Sequence, residues 1–183
     1  MNLLDLEIVT NRLLLKPISM EYKEVIFSEF TEEITTYMCP QSPKEISEIE
    51  AFIEEKITHL KTGSDLQFVI LKKETQEFLG CAGIHGIHDI EQQQPELGIW
   101  LKKAAHGNKY GLEAIAAIKN WADANLKYKY LSYPVDRRNV ASRKIPEALG
   151  GQISREYEHK KENGKILHLL EYRIYPNTKQ VSG

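Results

Sequence analysis

The chain is poor in the features that staple or anchor a protein. Its 183 residues include only two cysteines, Cys39 and Cys81, which is no disulfide framework. No apolar run approaches the ~20 residues that a membrane span needs. The start, Met1-Asn2-Leu3-Leu4-Asp5, has neither a basic nor a continuous apolar stretch, so a cytoplasmic location is expected rather than secretion. Neither charge dominates. The 24 basic residues against 26 acidic ones leave a formal net charge of −2, which excludes the basic footprint of a nucleic-acid binder. Internal repeats, low-complexity tracts and Gly/Ser linkers are lacking. The hydrophobic fraction of 42 % is ordinary, and one domain over residues 1–183 is expected. A chain of this size should bury roughly 70 % of its unfolded surface, so it needs no metal or disulfide to fold.

Periodicity then divides the chain. Arg12 to Pro17 is a short apolar run stopped by proline and reads as a strand. Ser19 stands where a helix cap belongs, ahead of Tyr22, Val25, Ile26 and Phe30 at helical spacing. Ser42-Pro43-Lys44-Glu45 reads as a capping box. Ile46, Ile49, Ile53, Ile57 and Leu60 follow on one face, and Gly63 closes the helix. Residues 66–71 and 77–87 read as an antiparallel hairpin, and 95–101 as another strand. A helix from about Lys109 to Asn125 is apolar on most sides, as expected of one packed on a sheet. A strand over 128–135, a short helix over 139–149 and two strands around Asn163-Gly164 complete the order. That order predicts an α/β or α+β domain with a mixed sheet.

Several groups could carry chemistry. Gly107-Asn108-Lys109-Tyr110-Gly111-Leu112 joins a strand to a helix start, where unpaired N–H groups and the helix dipole can hold a phosphate; a plain turn is the alternative. Glu96 opens the preceding strand and could serve as a general base, or simply be solvated. Asn139 and Ser142 sit three apart at a helix mouth. The asparagine suits either an N-cap or a ligand amide, and the serine hydroxyl could donate to a developing thiolate. Arg137-Arg138 and Arg143-Lys144 form a basic knot near that site that suits a polyanion, and Glu29, Glu32 and Glu33 an acidic run that could draw a cation; a solvated surface is the alternative for each and the favoured one for the acidic run. His85 and His88 fall on opposite faces of an extended strand, so no metal site is expected.

Taken in order, these segments resemble the GNAT superfamily of acyl-CoA-dependent N-acetyltransferases. The similarity is greatest to its Rim-type branch, which includes ribosomal-protein N-terminal acetyltransferases. Residues 10–17 are similar to the branch's opening strand, 96–101 to the strand bearing the family's frequent base, and 107–114 to the pyrophosphate loop. Residues 135–143, Val-Asp-Arg-Arg-Asn-Val-Ala-Ser-Arg, are similar to the branch's Val-Asp-x-x-Asn-x-x-Ser motif. The resemblance implies a central, mixed, mostly antiparallel twisted sheet flanked by helices.

It also implies roles. Backbone groups of Ile99, Trp100 and Leu101 would bond the pantetheine arm of acetyl-CoA, and the N–H groups of Gly107, Asn108, Lys109, Tyr110, Gly111 and Leu112 its pyrophosphate. Asn139 would contact pantetheine, Ser142 would face the sulfur and Arg143 would reach toward the nucleotide. Glu96 would be the base and Ser142 the acid, because Pro146 stands where many relatives place a tyrosine. The family's loop has other residues where this chain has Ala104 and Lys109, and the Cβ of Lys109 should restrict a loop that must curl. Pro146 predicts a kink or an irregular turn in its helix. The implied activity is acetyl transfer from acetyl-CoA to a primary amine, on a protein N-terminus or a small molecule, with no nucleic-acid or membrane partner and with a homodimer left open. A non-catalytic acyl-CoA-binding or regulatory protein on the same fold is the alternative.

Overall fold

A computed structural model describes residues 1–87 and 93–177. Strands β1 (Ile8–Val9), β2 (Leu13–Pro17), β3 (Asp65–Lys72), β4 (Phe78–His85), β5 (Glu96–Leu101), β6 (Leu131–Asp136), β7 (Gln152–Lys160) and β8 (Ile166–Ile174) form one sheet. Their spatial order is β1-β2-β3-β4-β5-β6-β8-β7, and every neighbouring pair is antiparallel except β5 with β6. Helices α1 (Lys23–Glu29), α2 (Glu32–Thr35), α3 (Ile46–Thr62), α4 (Tyr110–Asn125) and α5 (Val140–Ala148) flank it. The expected mixed, mostly antiparallel sheet is therefore present.

Alternation along β5 separates the two layers. Trp100 turns toward α1, its ring 4.6 Å from that of Phe30. Ile99 and Leu101 point the other way, with their tips against Gly111 at the start of α4. Thus α1 and α3 cover one face, and α4 and α5 the other. Ile49, Ile53 and Leu60 of α3 are buried, as are Ala114, Ile115, Ile118 and Ala122 of α4. Burial of each large apolar side chain stabilises the fold by about 1.5–3 kcal/mol. The amphipathic patterns are thus what fasten these helices to the sheet.

Several local expectations shift. Ser19 makes no side-chain cap; a 3₁₀ turn over Met20–Tyr22 leads into α1 instead. Helix α2 has no apolar repeat long enough to betray it and is set by Thr31, whose Oγ1 accepts from the Ile34 N–H. The capping box of α3 belongs not to Ser42 and Glu45 but to Glu45 and Glu48. Glu48 reaches back to the N–H groups of Lys44 and Glu45 at 2.6 and 2.8 Å, which holds its carboxyl below the usual range. Gly63 does end α3, with φ 76° and its N–H on the His59 carbonyl. The last hairpin turns through residues 161–165, wider than a two-residue Asn-Gly turn. Lys161 accepts from the Gly164 N–H, and Gly164 alone takes positive φ.

Candidate active site

Glu96 and Ser132 are the one registered pair between β5 and β6; beyond them the parallel strands diverge. The β5 edge from Leu97 onward therefore has no strand partner on that side, and its N–H and C=O groups need another. That edge opens onto a cavity of about 1210 Å³, lined by Ile99, Trp100 and Leu101.

The loop into α4 completes one wall. Gly107 and Lys109 both have left-handed backbone, with φ 83° and 60°. Lys109 itself thus adopts the turn that its Cβ was expected to resist, at a cost of roughly 1–2 kcal/mol. The curl leaves the N–H groups of Gly107 through Leu112 without a backbone acceptor among the described residues. They stand at the positive end of a 16-residue helix, which suits an anion. Asn108, itself exposed, fastens the loop by donating to the Ala105 and His106 carbonyls and does not line the cavity. Glu113, one turn into α4, ties the helix start to β2. Its carboxylate accepts from Thr10 Oγ1 at 2.5 Å, the Arg12 N–H at 2.9 Å and Arg12 Nε at 2.7 Å. Burial works against the charge, but these bonds hold the carboxyl below its ordinary value.

Across the cavity, Glu96 lies in a cross-strand row. The register pairs Asp65 with His85, His85 with Glu96 and Glu96 with Ser132, so these side chains share the α3 face of the sheet. Glu96 is open to solvent through the cavity mouth, yet its carboxyl is crowded by protein. That crowding raises its pKa; His85 opposes the rise and the Glu171 carboxylate adds to it. Glu171 is buried and accepts from Ser132 Oγ, Arg155 and Arg173.

At the mouth of α5, Asn139 caps the helix, its Oδ1 accepting from the Ser142 N–H at 3.3 Å. Ser142 Oγ lies 2.7 Å from the Tyr133 hydroxyl, and all three residues line the cavity. Burial pushes the Tyr133 phenol up to about 12, with Ser142 pulling the other way. Helix α5 runs from Val140 to Ala148 with Pro146 inside it. The Pro146 carbonyl takes the N–H groups of Leu149 and Gly151, and a Cβ on Gly151 would stand 2.9 Å from that oxygen. Arg143 does not line the cavity. Its Nε donates to Tyr172 and its Nη1 to the Arg137 carbonyl, while Arg138 grips Asp136. Two of the knot's side chains, Arg138 and Arg143, are thus spent on internal bonds, while Lys144 lines the cavity. Glu33 of the acidic run pairs with Lys103 at 3.2 Å.

The cavity therefore gathers Glu96, Ile99, Trp100, Leu101, Gly107, Lys109, Tyr110, Gly111, Leu112, Asn139 and Ser142, and leaves Asn108 and Arg143 outside its lining. Two further side chains lie in it without an assigned role in the linear pattern. Tyr133 sits on β6, nine residues from Ser142, a separation that says nothing about contact. His85 lies in it too; His88, the other histidine of that strand segment, lies outside the described residues. Among the described residues no group of three ligating side chains is placed to hold a metal. Cys39, on the segment after α2, also faces the cavity. Behind it, the buried Lys161 ammonium donates to the Thr35 carbonyl at 2.7 Å, tying the last hairpin to α2.

The model of the acetyltransferase (GNAT) domain matches residues 12–152, most of the chain. An uncharacterized N-acetyltransferase, p20, of Bacillus licheniformis is 25 % identical over 169 residues, covering 90 % of this chain and 93 % of that protein. Among solved structures, a ribosomal L7/L12 alpha-N-protein acetyltransferase in complex with coenzyme A superposes with a TM-score of 0.82 at 14 % identity, covering 93 % of this chain and 98 % of that one. Spermidine N-acetyltransferase from Vibrio cholerae, solved with CoA and spermine, gives 0.79 at 15 % identity over 91 % and 97 %.

Proposed function

The chain belongs to the GNAT acetyltransferase family, and from that membership we propose that it moves an acetyl group from acetyl-CoA to a primary amine, on a protein N-terminus or a small molecule. The observation that carries this reading is the meeting, in one cavity, of an unpaired β5 edge, the unsatisfied N–H groups of α4 and a crowded carboxylate. These groups fit the co-substrate. The β5 edge offers both donors and acceptors to an amide-bearing arm such as pantetheine. The N–H groups of residues 107–112 and the Lys109 ammonium offer positive charge to a pyrophosphate. Acetyl-CoA supplies an activated acyl group and a thiolate leaving group.

The chain's own residues do the rest. Glu96 takes the proton that an ammonium must lose before its nitrogen can attack, directly or through one water. Its raised pKa brings it closer to a useful base than an ordinary surface glutamate. Backbone N–H groups on β5 donate to the carbonyl oxygen as negative charge builds there. Tyr133 and Ser142 share a hydrogen bond in which either hydroxyl can donate; with the tyrosine as donor, the serine hydrogen is left to meet the departing sulfur. No covalent enzyme intermediate is required. The acceptors named for the superposed structures, a ribosomal protein and spermidine, mark the two acceptor classes to test first.

Two measurements test the proposal. Calorimetry with acetyl-CoA should give one-to-one binding in the micromolar range, and no binding at millimolar concentration removes the co-substrate assignment. Release of free CoA thiol is then followed with spermidine and with short peptides bearing a free N-terminus. Glu96→Gln should lower the rate at least a hundredfold with the amine that reacts. An unchanged rate removes Glu96 as the base.

A further inference from the structure

Resting on the proposed acetyl transfer, we infer that the acceptor is a monoamine with a bulky apolar group close to its nitrogen, not a polyamine, and that Phe52 selects it. The α3 wall of the cavity carries the argument. Ile49, Phe52 and Lys56 are spaced three and four residues apart, so they share one face of α3, and all three line the cavity. Ile49 is buried in the core, whereas Phe52 stays 38 % exposed. Distances put that open ring on the side of the base. The Lys56 ammonium lies 5.5 Å from the centre of the Phe52 ring and 3.4 Å from His85 Nδ1, and His85 is the register partner of Glu96 on the neighbouring strand. Tyr37 and Met38, on the segment after α2, add to the same lining, and the Arg138 guanidinium holds the Tyr37 ring at 4.9 Å. An aromatic ring left open in a reaction cavity gains most from a ligand that covers it with carbon.

Charge argues against the polycationic alternative. Among the described residues the lining holds three carboxylates, Glu33, Glu48 and Glu96, against three lysines, Lys56, Lys109 and Lys144. Glu33 pairs with Lys103 at 3.2 Å, and Glu48 is turned back onto the N–H groups of Lys44 and Glu45 at 2.6 and 2.8 Å. Glu96 is thus the one carboxylate of the described lining without an ion pair or a capping bond. A polyamine brings two or more ammonium groups, and the second would meet Lys56 or an occupied carboxylate. A monoamine brings one, and leaves only carbon to be placed against Phe52. The transfer balances: the ammonium loses one proton to Glu96 and one to the departing thiolate, the N–C bond forms and the C–S bond breaks. Two sources carry this chemistry, a small arylalkylamine and a peptide whose first residue is large and apolar.

The test reads binding first, by calorimetry on the protein saturated with CoA, where no transfer can occur. The probes are 2-phenylethylamine, a short peptide beginning with phenylalanine, one beginning with aspartate, and spermidine. At least one apolar probe should bind roughly tenfold or more tightly than spermidine and the aspartate peptide, and kcat/KM with acetyl-CoA should follow the same order. The stronger of the two apolar probes tells a small amine from a protein N-terminus. An order that favours spermidine or the aspartate peptide overturns the inference, and so does failure of both apolar probes to bind. Phe52→Ala should raise KM for the preferred apolar probe roughly tenfold, with a smaller change for methylamine, and Phe52→Leu should recover most of the loss. An equal loss for both amines marks a merely structural role and removes Phe52 as the selecting residue. Failure of the underlying reading is seen separately, as absent CoA binding or an unchanged acetyl-transfer rate in Glu96→Gln.

Discussion

Tyr133 on β6 and Ser142 on α5 share a hydrogen bond of 2.7 Å at the floor of the cavity. Either hydroxyl can donate in that bond, and where the tyrosine does, the serine keeps its own hydrogen for a group in the cavity. Ser142→Ala should therefore lower kcat by about one to two orders of magnitude with little change in KM for acetyl-CoA. Tyr133→Phe should cost less, up to about tenfold, since it removes orientation and not the donor itself. Steady-state kinetics on both variants would check the order, and a larger loss in Tyr133→Phe would assign the proton to tyrosine instead.

The pH dependence follows from Glu96. A base must be ionised, so activity should fall as pH falls through its pKa, and crowding places that limb above the range of an ordinary carboxylate. Glu96→Gln should abolish the limb along with most of the rate. The same shift has a sign in stability. A carboxyl whose folded pKa is raised is better tolerated neutral, so Glu96→Gln should raise the Tm at neutral pH. A thermal melt that shows a lower Tm for the variant would contradict the crowding.

Asp65 has the opposite sign. Burial pushes it up, but the His85 ring, the Lys56 ammonium and the Gly86 N–H outweigh that and hold it well below the usual carboxylate range. Its contribution to stability is present above the unfolded pKa and is lost only as pH falls toward the depressed folded value. Asp65→Asn leaves the Lys56 ammonium without a counter-charge and should cost about 3 kcal/mol, read from urea unfolding at neutral pH. A loss that disappears at pH 7 and grows only in acid would contradict the assignment.

Lys109 separates fold from binding. Glycine at a left-handed position relieves strain, so Lys109→Gly should stabilise the fold by up to about 1 kcal/mol. It also removes the ammonium beside the α4 N-terminus, so the Kd for acetyl-CoA should weaken several-fold. Thermal melts and calorimetry on one variant read both effects.

Much of the frame is legible along the chain because its causes are local. The isoleucine stripe of α3, the left-handed cap at Gly63, the apolar girth of α4 and the N-cap at Asn139 each depend on a few neighbouring residues. Elements without such a signature were not legible. Helix α2 is a single capped turn, and the capping box of α3 slid three residues because a glutamate can cap as a serine does.

The sequence by itself determined most of the longer elements and their order, since periodicity, caps and motif spacing are properties of consecutive residues. Only the tertiary structure decided who touches whom. Strand register placed His85 opposite Glu96 and Asp65 opposite His85; a one-residue slip would have sent every one of those side chains to the other face. The packing of α5 on β6 brought Ser142 to Tyr133, and the same packing drew Arg143 away to Tyr172. Such contacts arise between residues remote in the chain, and they are set by sheet pairing and layer packing, which no local pattern encodes.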